Sequence, residues 1–341
     1  MRGDRSQNPC WGWLLMLTLV LVPFGGQALA LEKMDVLVIS GPFAAVSDPL
    51  AVMVEQGALQ DVTRELRFEV WENPDQMRAL SLNGQTHFMA MPTNVAANLY
   101  NRGADLKLLN VSVWGVLYMV SRDPDLKTLA DFQGQKIAIP FRGDLPDIVF
   151  SVLAEEQGLD LDKDFDLKYV ANPLDAMRML LMRRIDHALL AEPAVSMALH
   201  KTRSGAMKIV APDLYRSVDL QEEWGQVFQS EGRIPQAGMV LLDTQLPPQV
   251  VSRFMEEYDK ALVWVRDHPE EAGRIVARYV KKLNPEAVAT SIAPSRFRRT
   301  TAAEARAELE FFFETLLARN PALVGGAMPA AGFYYSAPEG R

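Results

Sequence analysis

The chain reads as an α/β protein assembled from two successive blocks, and three observations predict that class. Short apolar runs alternate with longer amphipathic ones from about residue 34 onward, the pattern of strands feeding helices in a largely parallel sheet. The same order of strand, loop and helix begins again at Lys136, after a first series that ends near Ser121. At 341 residues the chain also exceeds what one core ordinarily encloses, taking roughly 150 residues per domain. With 49% hydrophobic and 23% charged residues, it has the composition of a chain that folds.

In the first block Met34 to Ser40 forms a strand. The loop Gly41-Pro42-Phe43 follows, and a helix starts near Ser47-Asp48-Pro49, where proline suits the first turn. Arg67 to Trp71 is a second strand; Asn73-Pro74 opens the next helix and Gly84 closes it. His87 to Met91 is a third strand, with Pro92-Thr93-Asn94 starting a helix that ends at Gly103. Leu106 to Val113 and Trp114 to Ser121 continue as strand. In the second block Lys136 to Ile139 is a strand, and a helix runs from Asp144 or Pro146 to Gly158. Phe165 to Val170 precedes a helix opened by Asn172-Pro173. Asp186 to Leu190 ends at Ala191-Glu192-Pro193, where another helix begins. Gln236 to Leu242 is one more strand, everything after Pro247 is expected to be helical, and the Ala, Gly and Pro-rich tail from Gly325 is a poor core former.

The first thirty residues differ from the rest. Arg2 and Arg5 precede a compact apolar stretch, Trp11 to Val22, which Pro23-Phe24-Gly25-Gly26 breaks before Ala28-Leu29-Ala30. This is the layout of a secretory signal with cleavage after Ala30, and the apolar run is shorter than the roughly 20 residues that span a bilayer. The one cysteine, Cys10, lies inside that leader. The mature chain then has no disulfide, no thiol nucleophile and no thiolate metal site. A net charge of −8 with only short basic pairs such as Arg183-Arg184 argues against polyanion binding, nucleic acid included.

Several segments together resemble one family: LADFQGQK at 129 to 136, the strand-loop-helix after it, Gly158-Leu159-Asp160, MLLMRRIDHALLAEP at 179 to 193 and IPQAGMVLL at 234 to 242. Their order and spacing look like those of periplasmic substrate-binding proteins serving nitrate, sulfonate, taurine and thiamine-pyrimidine ABC importers. That resemblance implies the type II periplasmic-binding-protein fold, two α/β lobes with a ligand cleft at the hinge. It places one lobe at 31 to 118 plus 243 to 341 and the other at 119 to 242. It implies an exported, periplasmic monomer that hands a small molecule to a membrane permease and its ATPase, the only contact with the membrane.

In open α/β sheets ligands bind beyond the carboxyl ends of the strands, where helix starts offer free N–H groups. The residues at those ends are Phe43, Trp71, Glu72, Asn73, Thr93, Asn94, Phe141, Arg142, Gly143, Asp144, Asn172 and Glu192, and these are the candidate ligand-binding positions. Asn73, Thr93 and Asn172 also stand where helix caps stand, each worth about 1 kcal/mol, and Asp144 is a candidate cap of its helix. Phe43, Trp71 and Phe141 can stack on a ligand or pack the hinge, and Glu192 in a first helical turn suits the helix dipole.

The loop after Ile139 carries the most information about the ligand. In the sulfonate and nitrate members this position usually holds Gly with Ser or Thr; here Asp144 stands there instead. A carboxylate aimed at an oxyanion a few ångströms away repels it by about 4 kcal/mol at an intermediate dielectric. Unless Arg142 compensates, a small oxyanion is disfavoured. With Glu72 and Glu192 also expected at the cleft, a neutral or cationic ligand with an apolar or ring portion fits better. The Arg142-Gly143-Asp144 tripeptide matches an integrin-binding motif, but so does Arg2-Gly3-Asp4 in the leader, and chance explains both.

No catalytic motif supports an enzyme. Nucleophile-elbow, Walker, dinucleotide-binding and His-Glu-x-x-His patterns are missing from the sequence. His87, His187, His200 and His268 have no metal-ligand spacing, so neither a metal nor a cofactor is expected. The competing readings are an enzyme on the same scaffold using Glu72 with Asp144 or Glu192, and a periplasmic sensor subunit that binds without delivering.

Overall fold

The computed structural model describes residues 32–203, 207–210 and 213–336; the expected leader and its cleavage point lie outside them. From Lys33 onward the chain belongs to one compact unit. In chain order its elements are β1 (Met34–Pro42), α1 (Asp48–Glu55), β2 (Thr63–Trp71), α2 (Pro74–Leu82), β3 (Phe88–Pro92), α3 (Thr93–Asn101), β4 (Lys107–Leu108), β5 (Asn110–Val113), β6 (Leu117–Ser121), β7 (Lys136–Pro140), α4 (Leu145–Glu156), β8 (Asp166–Val170), α5 (Pro173–Leu181), β9 (His187–Ala191), α6 (Ala194–Arg203), α7 (Met207–Val210), β10 (Tyr215–Asp219), α8 (Leu220–Phe228), β11 (Ala237–Leu241), α9 (Pro248–Asp267), α10 (Pro269–Tyr279), α11 (Pro285–Ile292), β12 (Phe297–Thr301) and α12 (Arg306–Arg319).

These strands form two sheets. One has the order β12-β5-β11-β3-β1-β2 with β4 paired to β11; the other has the order β10-β6-β9-β7-β8. Each sheet has a parallel side, β2-β1-β3 and β8-β7-β9. Each also has an antiparallel side, so the sheets are mixed rather than largely parallel. The reason is that the chain crosses between them: β6 leaves the first sheet after β5, and β11 returns beside β3 running against it. The strand at 237 to 241, which the resemblance assigned to the second lobe, pairs within the first sheet. The region after Pro247 is not all helix, because Phe297–Thr301 pairs antiparallel with β5.

The central strands are buried on both faces, as β3 shows. Phe88 and Ala90 of β3 face one apolar cluster while Met89 and Met91 face another, the mark of a central strand covered by helices. Phe88 stacks on Phe254 of α9 with ring centroids 3.8 Å apart. The tail from Gly325 is docked through residue 336: Phe333 is buried and the Tyr335 N–H donates to the Leu108 carbonyl at 2.9 Å.

The two sheets carry a local correspondence one hundred positions apart. Asp75, Met77, Arg78, Leu80 and His87 of the α2–β3 segment match Asp175, Met177, Arg178, Leu180 and His187 of the α5–β9 segment. Both helices open on an Asn-Pro pair whose asparagine caps the first turn, Asn73 accepting from the Gln76 N–H and Asn172 from the Asp175 N–H. Both methionines are buried, and both arginines pair with the aspartate three residues before them.

Two segments connect the halves, 113 to 117 and 234 to 237, and Gln236 joins them. Its N–H donates to the Val113 carbonyl at 3.1 Å, and its Oε1 accepts from the Val116 N–H at 3.0 Å. Gly115 lies between β5 and β6 at φ +152°, and a Cβ there would fall 2.0 Å from Cγ of Gln221.

Candidate functional site

Between the sheets lies a cavity of about 470 Å³ at the carboxyl ends of β1, β2, β3, β7, β8 and β9. This is where the strand-end rule puts a ligand in an open α/β sheet. Both sheets contribute to it. Pro42, Phe43, Trp71, Glu72 and Met91 come from the seven-stranded half; Phe141, Asp144, Leu145, Asn172, Leu174 and Ala191 come from the five-stranded half. Val116, Leu117, Gln236 and Ala237 line it from the connecting segments, and Tyr279, Val280, Lys281 and Lys282 close it from the end of α10. The volume and apolar lining suit a small organic molecule.

Phe43, Trp71 and Phe141 supply aromatic surface. Trp71 is fixed by its indole N–H, which donates to the Ala90 carbonyl at 3.3 Å. Phe141 adopts φ +59°, in the left-handed region that side chains seldom occupy. Its N–H donates to Val170 and its carbonyl accepts from the Asp144 N–H, so a tight turn from 141 to 144 holds the ring at the cavity wall.

Of the charged groups at the wall, Glu72, Asp144, Arg178 and Lys282 are already paired, and the exposed Lys281 has no ion pair among the described residues. Asp144 meets Arg78 of α2 at 2.9 Å, across the gap between the halves. Burial still raises the Asp144 carboxyl above its ordinary range, with the Arg78 charge pulling it back. Glu72 is bound by Lys282 at 2.7 Å, and Arg178 by Asp175 at 2.9 Å. Arg142, expected to compensate Asp144, instead lies over the Tyr169 ring at 4.7 Å and lines a separate surface depression. The compensating cation is Arg78.

Among the candidate residues, Phe43, Trp71, Glu72, Phe141, Asp144 and Asn172 meet at the cavity, and the other six do not. Asn73 is spent on its helix cap. Thr93 is fully buried, and its hydroxyl donates to the Pro235 carbonyl at 2.5 Å, so it holds a connecting segment in place. Asn94 and Gly143 face a neighbouring groove. Glu192 is fully buried, paired with Arg216 and accepting from the Ser196 N–H at 3.0 Å. Desolvation raises the Glu192 carboxyl, opposed first by the Arg216 charge. Asn172 lines the cavity with its amide committed to Asp175 at both ends.

Gln236 was missed by the strand-end rule because it begins a strand rather than ending one. Only its place in the IPQAGMVLL segment could have drawn notice. Its Oε1 is taken by Val116, and its Nε2 makes no hydrogen bond among the described residues, so it is a donor available to a ligand. Leu145 and Leu174 occupy the first turns of α4 and α5, one and two residues after the capping positions. Tyr279 and Val280 come from a distant helix that sequence alone could not bring here.

The chain matches no protein-family model and no curated protein. Solved structures with the same fold are numerous. An ABC transporter protein from Parabacteroides distasonis is 23% identical with a TM-score of 0.70, over 89% of this chain and 99% of that one. The periplasmic aliphatic sulphonate binding protein SsuA from Escherichia coli is 16% identical with a TM-score of 0.65, over 91% and 95% of the two chains. The periplasmic nitrate-binding protein NrtA from Synechocystis PCC 6803 is 14% identical, also at 0.65, over 85% and 83%. The chain is thus similar throughout its described length to periplasmic binding proteins of ABC importers, and its fold is theirs: two α/β sheets joined by crossing segments.

Proposed function

We propose that this protein is an exported solute-binding protein of an ABC importer, in which the two sheet-based halves act as lobes that close on a small molecule and present it to a permease and its ATPase. The observation that carries this reading is the apolar cavity of about 470 Å³ walled by both halves. The names of the structural neighbours, one an ABC transporter and two periplasmic binding proteins, support it. The leader-like first thirty residues support export to the periplasm. Among the described residues no helix is long and apolar enough to cross a membrane.

The solute is neutral, with a ring or other apolar body. Glu72 and Asp144 already hold Lys282 and Arg78, so neither carboxylate is left for a cationic ligand. Phe43, Trp71 and Phe141 offer surface for a ring, and the Gln236 amide offers one hydrogen bond to orient it. An acid pair for catalysis finds no support in Glu192, which is buried against Arg216 outside the cavity wall.

Native mass spectrometry of the protein purified from its own cell envelope tests this reading. One retained small molecule per chain is expected. Leu174→Glu, which puts a charge into the apolar wall, should abolish retention. Retention unaffected by that charge would overturn the cavity assignment, and conversion of the molecule on prolonged incubation would favour an enzyme.

A further inference from the structure

Beside the main cavity a groove of about 250 Å³ runs along α3, and Asp144 lies in the wall of both. One side is a face of α3 carrying Asn94, Asn98 and Arg102 at four-residue steps; the other side is Gly143, Asp144 and Ile148 from the five-stranded half. Asn94 is only 3% exposed, and its Oδ1 is buried without a hydrogen-bond partner. A buried polar atom left unpaired costs free energy comparable to a lost hydrogen bond, and a ligand group reaching this one through the groove would recover it.

The lining decides which group. A carboxylate or phosphate arm has no proton to give Asn94 Oδ1 and would face the Asp144 carboxylate. An ammonium would be repelled by Arg78 and Arg102, which both line the groove. A hydroxyl meets both limits, because it donates to Asn94 or Asp144 and accepts from either guanidinium. It also satisfies Asn94 whichever way the amide is turned.

We propose that this groove is a second subsite for the same solute, which therefore carries a hydroxylated arm on its ring: the ring fills the apolar cavity, and the arm passes Asp144 to reach Asn94. This assignment rests on the neutral-ring reading of the cavity and names the part of the solute which that reading leaves open.

Calorimetric titration of the purified protein with matched probes tests it: adenosine against adenine, and phenyl β-glucoside against anisole. At least one hydroxylated member should bind about tenfold more tightly than its bare ring, the worth of one good hydrogen bond. Asn94→Ala should bring that ratio close to one. Arg102→Ala, at the exposed end of α3, should lower it too and serves if the buried substitution impairs folding. Equal affinity of ring and hydroxylated partner, or a ratio that neither variant changes, overturns the subsite while leaving the cavity reading intact. If no probe of either kind binds, the neutral-ring reading fails and the subsite with it.

Discussion

Asp48, in the first turn of α1, is 1% exposed, and its Oδ2 has no hydrogen-bond partner. Burial holds this carboxyl well above its ordinary range. The folded chain therefore keeps a proton that the unfolded chain releases above about pH 4. Where the folded state binds more protons, stability falls as pH rises, so this residue weakens the fold progressively from that pH upward. Asp48→Asn carries no charge at any pH. Urea unfolding should show it more stable than the parent by on the order of 2 kcal/mol at pH 8, with the gain shrinking towards pH 4. An equal gain at both values would mean that the carboxyl is not held protonated. Asp144 shows the alternative arrangement, a half-buried carboxylate kept near a cation rather than left alone.

At the scale of elements, the connecting segments tolerate little change. Gly115 combines φ +152° with a Cβ position 2.0 Å from Gln221, whose side-chain amide bonds both the N–H and the carbonyl of Leu117. Gly115→Ala must displace that amide or twist the crossing strand. It should cost about 2–4 kcal/mol in thermal or chemical unfolding, whereas Gly134→Ala, at a turn with nothing near its Cβ, should cost less than half as much. A smaller loss at Gly115 would show that the crossing relaxes freely.

Most of these elements were legible because local rules set them. Asn-Pro pairs start α2 and α5, Pro49 lies in the first turn of α1, and dense apolar runs make β1, β3, β7 and β9. What escaped was set by tertiary contact. The polar strand Phe297–Thr301 exists because β5 offers it an edge, and β11 changes sheet because the chain crosses back. The site divided the same way. Phe43, Trp71 and Phe141 follow from the strand-end rule, whereas Glu192 and Thr93 follow the same rule and are taken up by Arg216 and Pro235. No sequence pattern shows whether a polar residue at a strand end is already spent within the protein.

At the scale of the whole molecule, several ion pairs bridge the halves outside the connecting segments, Arg296 with Asp219 and Arg233 with Glu308 among them. Two others are Arg78 with Asp144, and Arg319 of α12 with Glu155 of α4. All four groups retain solvent contact, so each pair is worth about 1 kcal/mol or less, and salt weakens it. Removing both with Arg78→Ala and Arg319→Ala should move a closed–open equilibrium several-fold towards the open form. Small-angle scattering should show a larger radius of gyration without ligand and a return to the parental value with it. An unchanged radius at low ionic strength would mean that the other contacts between the halves fix the separation.

The seven-stranded sheet draws β1 to β5 from the early chain, with β11 and β12 and the docked tail from the late chain. The five-stranded sheet is one uninterrupted stretch. During synthesis, then, the larger half stays unfinished until residues 297 to 335 leave the ribosome, since Tyr335 must reach back to Leu108. On the secretory route proposed above, that delay would keep the larger half threadable through a narrow translocation pore until late in synthesis.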